Sequence, residues 1–228
     1  MKDPIEIAKI IDHTLLKPDA TESNIQRLCD EAREYGFFSV CVHPFFIRTV
    51  RDMLSGSDVK VTTVIGFPLG MNLTRTKIFE AIEADSLGAD ELDIVVNIGE
   101  CKANNWGNVK KEVSDLVAAT PDVIHKIIIE TYYLTDDEKR AVSIAVRDGG
   151  AEFIKTSTGF ASEGAVIRDI EIIRNAIQGK MGIKAAGGIK TLKEVSRFVE
   201  AGATRIGTSS GVAIITELQG LEKSKKNC

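Results

Sequence analysis

LGADELDIV (87–95), GGAEFIK (149–155) and AGATRIG (201–207) repeat one pattern, and this pattern decides the fold. In each, Gly and Ala stand between the end of a helical pattern and the start of a short apolar run. Glycine suits the left-handed position after a helix, and alanine allows close packing where the chain turns into a strand. The repeat therefore predicts helix–strand units joined by short turns.

Short runs rich in Val and Ile alternate along the chain with longer amphipathic stretches. The runs are continuously apolar, which is typical of parallel strands covered on both faces. The predicted strands are 39–43, 60–67, 91–97, 125–130, 152–157, 182–187 and 204–209, with 13–16 as a candidate eighth strand. The predicted helices are 21–36, 73–88, 135–150 and 191–202, and the last two begin with the Thr-x-x-Glu spacing of a capping box.

Units of about 23 to 34 residues match one strand and one helix each. This arrangement predicts the α/β class and a (β/α)8 TIM barrel in a single domain, residues 1–228. An open doubly wound sheet is the alternative, but no dinucleotide fingerprint follows the first strand. We expect an extra N-terminal helix in PIEIAKII (4–11) that closes the bottom of the barrel. The charged segment from about residue 221 to 228 is expected to be a flexible tail.

The composition is that of an ordinary soluble globular protein. Hydrophobic residues make up 43% of the 228 positions, the formal net charge is −4, and the pI is near 5.5. This balance argues against nucleic-acid and membrane partners, and the start of the chain does not resemble a signal peptide. The four cysteines are widely spaced, which indicates neither a metal site nor a disulfide framework and favours a cytoplasmic location.

Three ionisable residues in predicted strands point to chemistry: Asp93, Lys155 and Lys184. A structural ion pair is the alternative interpretation for each one alone. Together they form a buried group of two cations and one anion, which is a costly way to stabilise a core. Burial and a neighbouring ammonium both disfavour a charged lysine, and lowering its pKa by about 3 units would make the free amine abundant at neutral pH. Such an amine forms imines with carbonyl compounds.

Two Gly-rich turns, AAGGIKT (185–191) and IGTSSGV (206–212), follow the seventh and eighth predicted strands. Loops at these positions are the usual phosphate site of the barrel, because their N–H groups and helix N-termini attract anions. Simple tight turns are the alternative, and Gly159 is expected to line the same mouth. The residues alone therefore predict a Schiff-base barrel enzyme that acts on a phosphorylated carbonyl compound.

At these residues the chain resembles the deoxyribose-phosphate aldolase family of class I aldolases. The resemblance runs from end to end through DHTLLKPDAT, SVCVHP, VIGFPLG, ELDIVVNIG, FIKTSTGF, GIKAAGGIKT and RIGTSSG. It implies reversible cleavage of 2-deoxy-D-ribose 5-phosphate to glyceraldehyde 3-phosphate and acetaldehyde, in deoxynucleoside catabolism. It also implies a homodimer or higher homo-oligomer and no metal or organic cofactor, because the imine is the electron sink.

The resemblance assigns roles to residues of this chain. Lys155 would form the Schiff base, Lys184 would lower its pKa and share in proton transfer, and Asp93 would be the acid–base partner. The expected phosphate ligands are Gly159, Gly187, Gly188, Lys190, Gly207, Ser209 and Ser210. Supporting roles are expected for Asp12, Thr14, Cys41 and Thr158, although Cys41 also fits a small apolar filler.

The chain departs from some relatives in the same regions. Phe160 follows Gly159 where some relatives have lysine, and Lys190 stands where many have arginine. The C-terminal tail has no tyrosine. The competing functions are another phosphosugar barrel enzyme, either an isomerase or a different class I aldolase, and a non-catalytic phosphosugar-binding protein.

Overall fold

The computed structural model describes residues 4–226 of the chain. Eight parallel strands form one closed barrel in which each strand pairs with the next and β8 pairs with β1. The closure confirms the (β/α)8 barrel over the open doubly wound sheet, and it supports the proposal of a single domain. The strands are β1 Ile11–Leu15, β2 Ser39–Val42, β3 Lys60–Ile65, β4 Glu91–Val95, β5 Ile124–Ile128, β6 Phe153–Lys155, β7 Gly182–Ala186 and β8 Arg205–Thr208.

Helices connect the strands and surround the barrel. Their bounds are α1 Pro4–Ala8, α2 Glu22–Tyr35, α3 Ile47–Met53, α4 Thr74–Ser86, α5 Ile98–Lys102, α6 Trp106–Ala119, α7 Asp136–Gly149, α8 Ile167–Ile177, α9 Leu192–Ala201 and α10 Gly211–Lys226. Short 3₁₀ segments span Pro44–Phe46 and Thr131–Tyr133. The predicted extra helix is α1: the carbonyl of Ala8 accepts a hydrogen bond from Phe38 N–H, just before β2, so α1 lies at the bottom of the barrel.

The structure places the C-terminal segment and the two strand lysines. Residues 221–226, part of the segment expected to be a flexible tail, are the last residues of α10, where Leu, Glu and Lys favour helix. The flexibility of this segment stays a prediction. Residues 227–228 of that segment lie outside the described residues. The two lysines that the sequence predicted in strands do lie in strands. Lys155 is the last residue of β6, and Lys184, its partner in register, is the middle residue of β7.

The local signals at the helix ends are confirmed. Thr135 and Thr191 form capping boxes with Glu138 and Glu194, in which each threonine hydroxyl accepts the glutamate N–H and the glutamate carboxylate accepts the threonine N–H. The glycines after α4, α7 and α9 have φ angles of 98°, 97° and 125°, a region that side-chain-bearing residues rarely adopt. The helix–Gly–Ala–strand repeat therefore reflects a real backbone requirement.

A buried ion pair between two outer helices fixes the top of β4. Lys77 of α4 is fully buried, and its Nζ lies 2.7 Å from Glu112 Oε1 on α6 and 2.8 Å from the carbonyl oxygen of Val95. Glu112 also accepts hydrogen bonds from Thr74 Oγ1 and from the N–H of Asn97, the second residue after β4. The pair thus links both helices to the C-terminal end of the strand that carries Asp93.

Lys77→Met is expected to lower the free energy of unfolding by about 3–5 kcal/mol, because it leaves the Glu112 carboxylate buried without its cation. Urea unfolding followed by circular dichroism measures the change. Lys111→Met, which removes an exposed pair with Asp115 on α6, is the control and should cost less than about 1 kcal/mol. Equal losses in the two variants would contradict the structural role of the buried pair.

Candidate active site

A single carboxylate contacts three lysines inside the barrel. Asp93 Oδ2, on β4, lies 2.7 Å from Lys155 Nζ and 2.7 Å from Lys184 Nζ, and Asp93 Oδ1 lies 2.8 Å from Lys126 Nζ. All four side chains are buried. The structure therefore brings together the three residues that the sequence singled out and adds Lys126 to them.

A second layer of charge lies beneath this cluster. Arg205 Nη1, on β8, is 2.9 Å from both Asp12 Oδ1 and Glu91 Oε2, and its guanidinium group stacks on the ring of Phe38. Lys126 joins the layers, because its Nζ lies 2.7 Å from Glu91 Oε2 as well as contacting Asp93. The barrel interior is therefore held by a continuous ion network.

Sequence reasoning missed most of this network. It counted only three ionisable strand residues and overlooked Lys126, Glu91 and Arg205. A signal was present: Glu91 and Asp93 are two apart in β4, so they face the same side, and Lys126 is the register partner of Asp93. Asp12, expected only to support the site, lies 2.5 Å from Lys184 Nζ and is a central member of the network.

The ion count explains why one group of the network can lose a proton. Four cationic side chains face three carboxylates, so the cluster has a net charge of +1 when all are ionised, and the loss of one proton makes it neutral. The cations are Lys126, Lys155, Lys184 and Arg205, and the carboxylates are those of Asp12, Glu91 and Asp93.

Lys155 is the member best placed to lose that proton. Burial lowers the pKa of Lys155, the Asp93 carboxylate opposes this, and the Lys184 ammonium lowers the pKa further. Burial also disfavours the charged form of Lys184, but Asp12 and Asp93 outweigh it and raise the pKa of Lys184. Lys155 thus contacts one carboxylate and Lys184 contacts two, which makes Lys155 the candidate amine nucleophile.

A cavity of about 270 Å³ opens above Lys155. Its walls come from the C-terminal ends of four neighbouring strands, β6, β7, β8 and β1, and from the loops that follow them. Among the predicted site residues, Thr14, Lys155, Thr158, Gly159, Gly187, Gly188, Lys190, Gly207 and Ser209 line it. Lys17, Leu16 and Phe160 also line it and were not predicted as site residues.

Two predicted site residues, Ser210 and Cys41, lie outside the cavity lining. The N–H of Ser210 donates to Thr208 Oγ1 within the loop. Cys41 is fully buried in a small apolar cluster with Leu16 and Val64, and burial raises the pKa of its thiol to about 11. Cys41 therefore matches the apolar-filler interpretation. At Gly207 a Cβ atom would lie 3.0 Å from Lys184 Cε, so this glycine makes room for the lysine.

Comparison with known proteins agrees with this geometry. Residues 7–217 match the model of the DeoC/LacD family of aldolases. The chain belongs to this family. A deoxyribose-phosphate aldolase of Thermoanaerobacter sp. (strain X514) is 48% identical over 96% of this chain and 100% of that protein. One of Staphylococcus carnosus is 48% identical over 96% and 98%.

Solved structures show the same relationship. The structure of a putative deoxyribose-phosphate aldolase from Coccidioides immitis matches with a TM-score of 0.93 at 39% identity, over 96% of this chain and 87% of that one. The deoxyribose phosphate aldolase of Aeropyrum pernix, described as a unique tetramer, matches with a TM-score of 0.89 at 32% identity, over 96% and 93%.

One further residue of this aldolase shapes the cavity wall. Glu130 follows β5 with a φ of 47°, which is uncommon for a residue other than glycine. Its buried carboxylate accepts hydrogen bonds from both the N–H (3.1 Å) and the Oγ1 of Thr158, and Thr158 Oγ1 accepts the N–H of Phe160. Glu130 therefore holds the loop after Lys155, and sequence reasoning gave it no role.

The described part of the chain contains neither a metal-binding cluster nor a membrane-spanning helix. Between residues 4 and 226, no group of three or more His, Cys, Asp or Glu side chains is arranged to hold a metal ion. In the same part of the chain, no helix combines the length and the apolar character that crossing a membrane requires.

The acid stability of this aldolase should depend on the network. Burial alone would raise the pKa values of Asp12 and Asp93, but the surrounding cations hold both below the usual 3.8. A depressed carboxylate pKa contributes stability that is complete above the unfolded-state pKa and is lost as the pH falls below it. Asp12→Asn should therefore flatten the fall in unfolding free energy between about pH 4 and 2.5, by up to about 1.4 kcal/mol per pH unit.

Urea unfolding at a series of pH values measures this slope. Asp122→Asn, at an exposed position outside the network, is the matched control and should keep the wild-type slope. Identical slopes in the two variants would show that the buried carboxylate does not cause the acid sensitivity.

Proposed function

We propose that this aldolase reversibly cleaves 2-deoxy-D-ribose 5-phosphate to D-glyceraldehyde 3-phosphate and acetaldehyde through a Schiff base on Lys155. The observation that carries the proposal is the shared carboxylate oxygen: Lys155 and Lys184 both lie 2.7 Å from Asp93 Oδ2, and Lys155 lines an open cavity. The names of relatives that match over nearly the whole chain support the choice of substrate.

The first half of the reaction forms the imine. Neutral Lys155 adds to C1 of the open-chain sugar, and one proton moves from the amine nitrogen to the new alkoxide oxygen. The resulting hydroxyl group takes up one further proton from solvent and leaves as water, which gives the protonated imine. Asp93 is close enough to Lys155 to pass these protons, and Lys184 remains charged. The positive charge of the protonated imine faces the Asp93 carboxylate, so imine formation restores the charge that the ammonium had.

The second half breaks the carbon–carbon bond. A base removes the proton from the 3-hydroxyl group, the C2–C3 electrons move into the imine, and glyceraldehyde 3-phosphate leaves. The resulting enamine takes a proton at C2, and hydrolysis of the new imine releases acetaldehyde and regenerates Lys155. We assign proton transfer to Asp93 with Lys184, and such general acid–base help is worth about 10²–10⁴ in rate. The imine serves as the electron sink, so we propose that no cofactor takes part.

The phosphate group would bind at the rim formed by the loops after β7 and β8. Gly188, Lys190 and Ser209 are exposed there and line the cavity, and Gly187 and Gly188 have φ angles of 91° and 77° that turn the backbone around the opening. Gly159, with a φ of 87°, completes the opposite edge. Lys190 gives a point charge rather than a bidentate contact, so backbone N–H groups carry more of the recognition.

The cell location and assembly are also proposals. We infer a cytoplasmic location, which is supported by the free thiols of Cys29, Cys41 and Cys101. We infer a homo-oligomer, supported by exposed apolar side chains such as Phe79 and Leu69 and by the tetrameric description of the Aeropyrum pernix relative.

Borohydride reduction in the presence of acetaldehyde should add one ethyl group to Lys155, and Lys155→Ala should remove both this adduct and all turnover. Peptide mass spectrometry locates the adduct, and circular dichroism shows whether the variant is folded. Lys193→Ala, at an exposed position on α9, is the control and should keep the adduct. Absence of the adduct from the folded wild-type protein would favour the isomerase or binding-protein alternatives.

Lys184→Leu should move the pH dependence of imine trapping upward by about one to three pH units. In the wild type, the Lys184 ammonium lowers the pKa of Lys155. Without it, Asp93 has one cation fewer to balance and stabilises the charged form of Lys155 more strongly. The sign follows because a higher pKa leaves less neutral amine at any given pH. Trapping rates measured from pH 5 to about 10 test this, and an unchanged profile in a folded variant would remove Lys184 from pKa control.

A further inference from the structure

The closure of the barrel sets the order of three loops at the rim of the cavity. β8 pairs with β7 on one side and with β1 on the other. The loop after β8, which carries Ser209, therefore lies between the loop after β7, which carries Lys190, and the loop after β1, which carries Lys17. All three residues line the cavity and are exposed.

The charges of the cavity lining have one sign. Lys17, Lys155 and Lys190 line it, and no aspartate or glutamate does so among the residues described. Lys155 lies at the floor and is used by the proposed imine. The two remaining lysines stand on either side of the Ser209 loop, which is the arrangement that an anion bound to that loop would require.

Neither rim lysine has its charge paired within the protein. The backbone N–H of Lys190 donates to Glu194 Oε2 at 2.9 Å, and this hydrogen bond is the largest cause of the low pKa of Glu194. The ammonium groups of Lys190 and Lys17 form no ion pair with the side chains that the structure describes, so both charges remain available to a ligand.

The backbone on both sides of Lys17 is fixed, although its side chain is exposed. The carbonyl of Leu16 accepts a hydrogen bond from His43 Nε2 at 3.0 Å, and the Leu16 side chain packs in the apolar cluster with Cys41. The carbonyl of Lys17 itself accepts the N–H of Ala20, which closes the turn. The ammonium is thus presented at the rim from a rigid base.

The opposite edge of the cavity supplies no such charge. Phe160, in the loop after β6, is 53% exposed, lines the cavity and packs edge-on against Phe67 with ring centroids 5.3 Å apart. This aromatic contact joins the loops after β3 and β6 across the mouth. A charged substrate group is therefore directed away from Phe160, toward the rim between Lys190 and Lys17.

We propose that Lys17 is a specificity-determining residue that contacts the substrate phosphate from the β1 side and sets the preference for the phosphorylated sugar over the free sugar. The proposal rests on the proposed function of the cavity and adds to it a cation that the sequence did not point to. Lys17 takes no part in bond making or breaking.

The test compares 2-deoxyribose 5-phosphate with 2-deoxyribose as substrates of Lys17→Gln. The ratio of kcat/KM for the phosphorylated sugar to that for the free sugar should fall about tenfold, mainly through KM for the phosphorylated sugar, because a charge-assisted contact is lost. Lys17→Arg should restore most of the ratio. Raising the salt concentration should narrow the difference between wild type and Lys17→Gln.

Lys193→Gln is the matched control, because Lys193 is exposed on α9 beyond the cavity lining, and its ratio should equal that of the wild type. An unchanged ratio in Lys17→Gln would overturn the proposal. Equal losses on both sugars would also overturn it, since they would indicate a role in the shape of the loop rather than in phosphate recognition.

A binding measurement separates this proposal from the proposed reaction. Calorimetric titration with inorganic phosphate should give about tenfold weaker binding to Lys17→Gln than to the wild type and to Lys193→Gln. This result would support the role of Lys17 even if borohydride trapping failed on the wild-type protein. Equal phosphate affinities in all three proteins, with trapping intact, would refute Lys17 as a phosphate ligand and leave the aldolase reaction standing.

Discussion

The contact of Asp93 with three lysines is the interaction on which the rest of this structure depends. A carboxylate buried in a barrel is costly unless cations surround it, and a lysine placed there is costly without a carboxylate. Lys126, Lys155 and Lys184 meet this requirement together, from three successive strands that follow β4. The same contact that makes the charges tolerable also places a deprotonatable amine at the floor of an open cavity.

The two layers of charged side chains in the barrel have different roles. The lower layer, built on Arg205 and Glu91, is closed to solvent and joined to the upper layer through Lys126 and Asp12. The upper layer ends at Lys155, which alone among the four cations lines the cavity. Stability and reactivity therefore share one network, in which the count of four cations against three carboxylates makes the neutral form of Lys155 electrostatically acceptable.

Different contacts hold the segments around the cavity mouth in place. Glu130 fixes the loop after β6 through Thr158, while the Lys77–Glu112 pair fixes the top of β4 from outside the barrel. Phe67 and Phe160 join across the mouth, and the exposed glycines and lysines lie toward β7, β8 and β1. The opening thus has an apolar side and a cationic side, and Lys155 lies at its floor.

The sequence by itself determined the barrel, most helix ends and the central trio of Asp93, Lys155 and Lys184. These features depend on local signals, namely apolar runs, capping boxes, glycines after helices and lysines in strands. Only the tertiary structure decided that Lys126, Glu91, Arg205 and Asp12 join one network, that Ser210 lies outside the cavity lining, and that Lys17 lines the rim. The contact of Arg205 with Asp12 and the place of Lys17 beside the Ser209 loop depend on the closure of β8 on β1, and no local pattern records side chains so far apart in the chain.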